Sequence, residues 1–229
     1  MAPFKQRLRA GETVSLVNVD HAHAGLVHYS CGLGIDAVML DCEQGTPGFE
    51  DIENLTRAAH LQGVASIVRV PSSEPWTIER YMMRGVDGIV VPRLDTAEQV
   101  RRVVDDIRYA VPLRFEHKSV IVQVESVSAV EQLDDFMSVE EVDCFFIGAV
   151  DLAKSMGFAG DYRKPAVATC IDEVIARIRA RGRSVGFMVR DQDAAVWQAK
   201  GVTMLYAHIN DFLTLGARQW RADAGLKPA

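Results

Sequence analysis

Basic charge, long apolar runs and paired cysteines are all scarce in this sequence. Lysine and arginine together number 25 against 31 aspartates and glutamates, for a formal net charge of −6. Nucleic acid and anionic membranes select a basic face, so neither is expected as a partner. The local arginine groups, Arg101-Arg102 and Arg177, Arg179, Arg181 and Arg183, are expected to be solvated helix and loop charges. Apolar runs such as Cys144–Val150 fall far short of the ~20 residues that span a bilayer. The first residues, Met-Ala-Pro-Phe-Lys-Gln-Arg-Leu-Arg, carry no apolar segment of the kind that directs secretion. The four cysteines, Cys31, Cys42, Cys144 and Cys170, form no C-x-x-C pair. They read as reduced thiols of a cytoplasmic protein. Cys42 lies between acidic residues, which oppose thiolate formation, so it is expected to be structural. A glycine-rich dinucleotide fingerprint and a phosphate loop are also missing, which weighs against an open, doubly wound sheet.

What the sequence does have is regular alternation. Short, β-branched apolar runs recur at Thr13–Val19, Ala37–Leu40, Ser66–Val70, Gly88–Val91, Val120–Val124, Cys144–Gly148, Ser184–Met188 and Met204–Ala207. Runs this short and uniformly apolar predict strands covered on both faces, as in a parallel sheet. Amphipathic stretches between them predict helices, among them Asp51–Gln62, Ala97–Tyr109, Ala166–Arg181 and Gln192–Lys200. Eight such units without a break in composition point to an α/β fold, a single (β/α)₈ barrel domain over residues 1–229. The stretch Asp211–Trp220, with Phe212, Leu213, Leu215 and Trp220, is expected to pack on the barrel or on a neighbouring chain.

In such barrels the site gathers at the C-terminal ends of the strands. The strands lead there into Asn18 and Asp20, Asp41 and Glu43, Arg69, Arg93, Gln123 and Glu125, Asp151, and His208 and Asn210. Glu125 and Asp151 follow neighbouring strands, and two close carboxylates repel unless they share a cation or a proton. A hard divalent ion, Mg²⁺ or Mn²⁺, is the simplest resolution. A proton-sharing acid/base dyad and two independent loop carboxylates remain the alternatives. Arg69 leaves an apolar strand and must meet an anion, either a substrate carboxylate or Asp41 or Glu43 in a structural salt bridge.

Five segments, taken together and in order, resemble the HpcH/HpaI aldolase and citrate lyase β-subunit superfamily. They are Leu40-Asp41-Cys42-Glu43-Gln44-Gly45, Val68-Arg69-Val70-Pro71, Gly85-Val86-Asp87-Gly88-Ile89-Val90-Val91-Pro92, Val122-Gln123-Val124-Glu125-Ser126 and Phe146-Ile147-Gly148-Ala149-Val150-Asp151-Leu152. The resemblance implies metal-dependent carbon–carbon cleavage or condensation of a small 2-oxo acid, through an enolate that the metal stabilises. It makes Glu125 and Asp151 metal ligands and Arg69 the anchor of a pyruvate-type carboxylate. Backbone groups of Gly148, Ala149, Val150 and Asp151, together with Gln123, would line the substrate. It also favours a ring-like homo-oligomer.

The departures bear on proton transfer. Where the superfamily has histidine after the glutamate of the second-strand motif, this chain has Gln44, and an amide cannot take a proton near neutral pH. The position matching the aspartate that pairs with that histidine is Met83. The loop before the fifth strand is also short. Glu43 and Gln44 are left to orient substrate or water, and His21, His23 and His208 are the candidate replacement bases, His21 standing with Arg69, Gln44 and Glu43 among the expected catalytic residues. The other reading is a barrel that binds a 2-oxo acid or dicarboxylate without efficient aldol chemistry, or that decarboxylates oxaloacetate.

Overall fold

The computed structural model describes residues 3–190 and 193–227. Eight parallel strands, β1 (Val14–Asn18), β2 (Ala37–Asp41), β3 (Ala65–Arg69), β4 (Gly88–Val91), β5 (Ser119–Val124), β6 (Cys144–Ile147), β7 (Ser184–Met188) and β8 (Met204–His208), close in sequence order into a barrel. Helices α1 (Phe4–Arg9), α2 (Ala24–Cys31), α3 (Ile52–His60), α4 (Pro75–Met82), α5 (Ala97–Ala110), α6 (Val127–Glu131), α7 (Leu133–Met137), α8 (Ala149–Ser155), α9 (Pro165–Ala180), α10 (Ala194–Ala199) and α11 (Ile209–Asp223) complete the chain. The expected (β/α)₈ barrel is therefore the observed fold. Each strand lies within two residues of its predicted range. The predicted helix Gln192–Lys200 corresponds to α10, with Gln192 itself outside the described residues.

The strands are apolar on both faces because the barrel has two cores. Leu16, Met39, Ile67, Val90, Ile121, Phe146 and Tyr206 fill the inside. Val38, Leu40, Val68, Ile89, Val122, Phe145 and Phe187 point out against the helices. Burying side chains of this size stabilises by roughly 1.5–3 kcal/mol each. Neighbouring positions on a strand face opposite ways, so one residue of slip would exchange the two cores.

Local signals set the helix ends. Thr96 accepts from the Gln99 backbone N–H while the Gln99 side chain reaches back to Thr96, a capping box that starts α5. The end of the barrel away from the strands' C-termini is closed by α1, whose Phe4 and Leu8 enter the inner core. Arg101, Arg102 and Arg181 are exposed as expected, but Arg177, Arg179 and Arg183 are corrections: each is half-buried and donates to a backbone carbonyl, and Arg183 is the most heavily engaged. It donates to the carbonyl oxygens of Met137 (2.7 Å), Val139 (3.2 Å) and Val142. A helix end leaves carbonyls without intrahelical donors, and the guanidinium supplies several at once.

Candidate functional site

Side chains two apart on a strand share a face. Extending the inner positions Leu16, Met39, Ile67, Ile121, Phe146 and Tyr206 by one step reaches Asn18, Asp41, Arg69, Gln123, Gly148 and His208, and a second step from Ile121 reaches Glu125. The strand period thus delivers polar residues of five strands, and a glycine at the exit of a sixth, to one mouth.

Asp41 and Arg69 stand opposite each other in the β2–β3 register. Arg69 Nε donates to Asp41 Oδ1 at 2.8 Å and one terminal nitrogen, Nη2, to Oδ2 at 2.6 Å. Asp41 Oδ1 also accepts the backbone N–H groups of Glu43 (3.1 Å) and Gln44 (3.2 Å). Burial alone would raise its pKa, but these donors and the Arg69 charge hold it below the usual range. The salt-bridge reading of Arg69 is thus realised with Asp41, and Glu43 lies 3.4 Å from its Nε. The fork is not exhausted, since Nη1 makes no hydrogen bond among the described residues.

Glu125 is buried, with 7% exposure. Its Oε1 accepts the Arg93 backbone N–H and its Oε2 the Gln123 amide, both at 2.6 Å. Arg93 turns that N–H inward from a left-handed backbone, φ 59°, a conformation that a bulky residue rarely adopts. Both Glu125 donors are neutral. Burial, and then the nearby charges of Glu43 and Asp151, push its carboxyl up to about 7 against the partial opposition of the Arg93 N–H and Arg69. Glu43 is raised too, chiefly by burial, although Arg69 and Arg93 pull the other way. Asp151 is the third residue of α8 and half-exposed, with Lys154 Nζ 2.9 Å from its Oδ1.

Gln123 is buried beneath Glu125. Its amide nitrogen is spent on that carboxylate, and its Oε1 has no hydrogen-bond partner among the described residues. At Gly148 a Cβ would fall 2.6 Å from Glu125 Oε2 and 3.2 Å from the Gln123 amide. Only glycine leaves this room at the β6 exit.

Among the described residues no group of three or more His, Cys, Asp or Glu could hold a metal. The mouth offers a pair of carboxylates, Glu125 and Asp151, with Glu43 beside them. An oxygen set of this kind suits a hard divalent cation that keeps water or substrate oxygens as its remaining ligands. The excess of buried negative charge around Glu125 is what such a cation would neutralise, so the residues present fit it.

The other expected residues spread over the rim. Gln44 is exposed, and its backbone rather than its side chain contacts Asp41. His21 is exposed, with Nε2 3.2 Å from Asn210 Oδ1. His23 caps α2, its Nδ1 accepting the Leu26 N–H at 3.4 Å. His208 instead lies on the inner face, its Nδ1 2.6 Å from Asp20 Oδ1. Met83, the position that matches the family's aspartate, does not meet position 44 within this chain. It is exposed at the C-terminal end of α4, on the β4 entry side, whereas position 44 follows β2 at the mouth. Burial, more than the neighbouring Asp41, pushes the Cys42 thiol up to about 12.

Sequence reading gave no role to Asn18, Tyr206 or the Arg93 backbone. The two-residue step from Leu16 to Asn18 and from Met204 through Tyr206 to His208 is the signal that finds the first two. Nothing local marks the Arg93 turn.

The HpcH/HpaI aldolase/citrate lyase family profile matches residues 15–208. A 2-keto-3-deoxy-L-rhamnonate aldolase of Escherichia coli strain K12 is 30% identical over 242 residues, covering 91% of this chain and 90% of the relative. A protein of the same name from Salmonella gallinarum is 29% identical over 241 residues, with the same coverage. Among solved structures, an HpcH/HpaI aldolase/citrate lyase family protein from Burkholderia cenocepacia J2315 superimposes with a TM-score of 0.86 at 24% identity, covering 96% of this chain and 98% of that one. The citrate synthase SbnG does so with 0.83 at 25% identity, covering 97% and 99%.

Proposed function

The chain belongs to the HpcH/HpaI aldolase/citrate lyase family, and from that premise we propose that its mouth binds a small 2-oxo acid beside Mg²⁺ or Mn²⁺ and carries it through an enolate. The enzyme type is an aldolase-like carbon–carbon lyase of the divalent-metal-dependent class. The observation that carries the finer reading is the buried Glu125 carboxylate, flanked by Glu43 and Asp151 and held only by neutral donors.

Glu125 and Asp151 would hold the cation. When bound, it supplies positive charge to a carbonyl oxygen as negative charge develops there. Arg69, fixed by Asp41, offers Nη1 to the substrate carboxylate, a charge-assisted contact. The N–H groups of Ala149, Val150 and Asp151 start α8 without intrahelical acceptors and supplement it. Gln123 and the Arg93 N–H keep the Glu125 carboxylate aimed inward. The close approach of Gly148 lets the Glu125 carboxylate sit against the β6 exit.

The rest of this reading is a cytoplasmic enzyme whose four cysteines stay free and whose α11 makes homo-oligomer contacts. Along that helix only Ile209 is buried, while Phe212, Leu213, Leu215 and Trp220 are exposed. A second reading, binding without efficient aldol chemistry, is favoured by one observation: position 44 offers an exposed amide and no imidazole.

Calorimetric titration of metal-stripped protein with Mg²⁺ and Mn²⁺, with and without oxalate, tests the site. Oxalate has the planar form of a pyruvate enolate. Metal-dependent oxalate binding that Glu125→Ala abolishes is the expected result. Equal binding by wild type and Glu125→Ala, or none by either, would sink the reading.

A further inference from the structure

The mouth holds a second polar assembly, opposite the carboxylates. Numbering around the barrel, β8 and β1 face β4 and β5 across the interior. Asn18 and His208 are partners in the β1–β8 register. Beneath His208, the Tyr206 ring packs edge-on at 5.0 Å between centroids, and the Tyr206 hydroxyl accepts the Asn18 amide at 3.0 Å. Asp20 closes the group. Its Oδ1 accepts the His208 Nδ1–H at 2.6 Å, and its Oδ2 lies 3.4 Å from the Asn210 N–H.

Asp20 is held in a backbone conformation with φ 54°. Aspartate adopts this left-handed backbone more readily than most residues, yet it remains uncommon and needs surroundings that hold it. Here three contacts do so. The Asp20 N–H donates to Asn18 Oδ1 at 2.9 Å, Thr46 Oγ1 donates to the Asp20 carbonyl at 2.9 Å, and His208 takes the side chain. The chain thus bends out of the regular strand path to put a carboxylate behind one ring nitrogen of an inward-facing histidine.

We propose that His208, oriented by Asp20, is the group that moves protons at the carbon next to the carbonyl of the 2-oxo acid, the work that Gln44 cannot do. The proposal rests on the enolate reading given above. Asp20 fixes the tautomer with the proton on Nδ1, and Nε2 has no hydrogen-bond partner among the described residues. In the enolising direction Nε2 takes the proton from C3. The C–H electron pair becomes the C2–C3 double bond, and the carbonyl pair moves onto oxygen. In the cleavage direction the imidazolium returns that proton to C3 of the enolate, giving the 2-oxo acid and neutral His208. Proton and electrons balance without any further reactant. Asp20 contacts no reacting atom and is a positioning residue. His21 and His23 lack this placement, one exposed and the other spent as a helix cap. The charged groups on the flanking elements are Asp20 after β1, Arg190 after β7 and Asp211 in the first turn of α11.

The assay is exchange of the pyruvate methyl protons with deuterium from solvent, followed by proton NMR with Mg²⁺ or Mn²⁺ present, alongside oxalate calorimetry. His208→Ala is expected to slow exchange about 10²–10⁴-fold, the usual worth of a general base. It should leave metal-dependent oxalate binding in place, and added imidazole should restore part of the rate. Asp20→Asn should slow exchange less than His208→Ala does, lowering kcat for exchange while leaving the KM for pyruvate and metal-dependent oxalate binding in place. His208→Ala exchanging at the wild-type rate would overturn the proposal. Joint loss of exchange and oxalate binding in His208→Ala, without imidazole rescue, would overturn it too, because the pair would then be a structural tie. Wild type that binds oxalate but exchanges nothing counts against His208 alone. Wild type that binds no oxalate removes the enolate reading and this assignment with it.

Discussion

Asp143 and Glu125 are buried carboxylates at opposite ends of one barrel, and the chain treats them differently. Asp143 precedes β6 at the end that α1 closes. Lys5 Nζ lies 3.0 Å from its Oδ2, Arg9 pairs with its Oδ1, and the Val120 N–H donates to Oδ2 at 2.8 Å. Lys5 also donates to the Lys118 carbonyl at 2.6 Å. Glu125, at the mouth, receives a backbone N–H and an amide but no cation among the described residues, and it has acidic neighbours. At the closed end the chain supplies the counter-charge itself, whereas under the proposed function the counter-charge of Glu125 would come with the cation.

The strongest way to break this contrast is at the closed end. Asp143→Ala strands Lys5 beside Arg9 and should destabilise by about 3–5 kcal/mol, the cost of leaving a buried charge without its partner. Urea unfolding measures it, and a loss below about 1 kcal/mol would mean that the pairing contributes little.

The next effect is at the mouth and has the opposite sign. A carboxyl whose pKa is higher folded than unfolded holds its proton more tightly in the native state. Its contribution is full below about 4.5 and is lost as pH rises to about 7. At 1.36 kcal/mol per unit, that is about 3 kcal/mol between those limits. Metal-free wild type should therefore lose stability over this window by thermal unfolding. Glu125→Gln should flatten the slope and be more stable than wild type near pH 7.5. Saturating Mg²⁺ should flatten it as well, in wild type only. Asp41, held low by Arg69, acts in a separate and more acidic window, losing its contribution as pH falls below the ordinary carboxylate range. A metal-free protein whose stability is level from pH 4.5 to 7 would remove the contrast.

The smallest effect sharpens it. Gln123→Leu removes the amide that orients Glu125 and should weaken divalent-metal affinity about 10–100-fold, as loss of a ligand's supporting hydrogen bond does. Unchanged affinity by calorimetry would show that the Arg93 N–H alone positions the carboxylate.

Most of the barrel was legible because strands buried on both faces must be apolar at every position, and that leaves a run too dense to miss. The site was half legible. Glu125, Arg69 and Asp151 stand at strand exits, where the fold class already directs attention. Gln123 was read as lining the substrate, and its position under Glu125 depends on the Gly148 approach from the next strand. The Asp20–His208 pair joins residues 188 positions apart, and no spacing in the sequence marks it. Of the three candidate histidines, only the strand period of β8 separates His208 from the others.

The sequence by itself determined the strand count, the order of elements and the choice of mouth, because periodicity and turn chemistry are local properties of the chain. Only the tertiary structure decided which charges find partners. Barrel closure sets β8 beside β1 and β5 beside β6, and α1 closes one end with Lys5 and Arg9 against Asp143. Whether a carboxylate meets a cation, an amide or another carboxylate depends on distances across that closure, and local sequence carries no record of them.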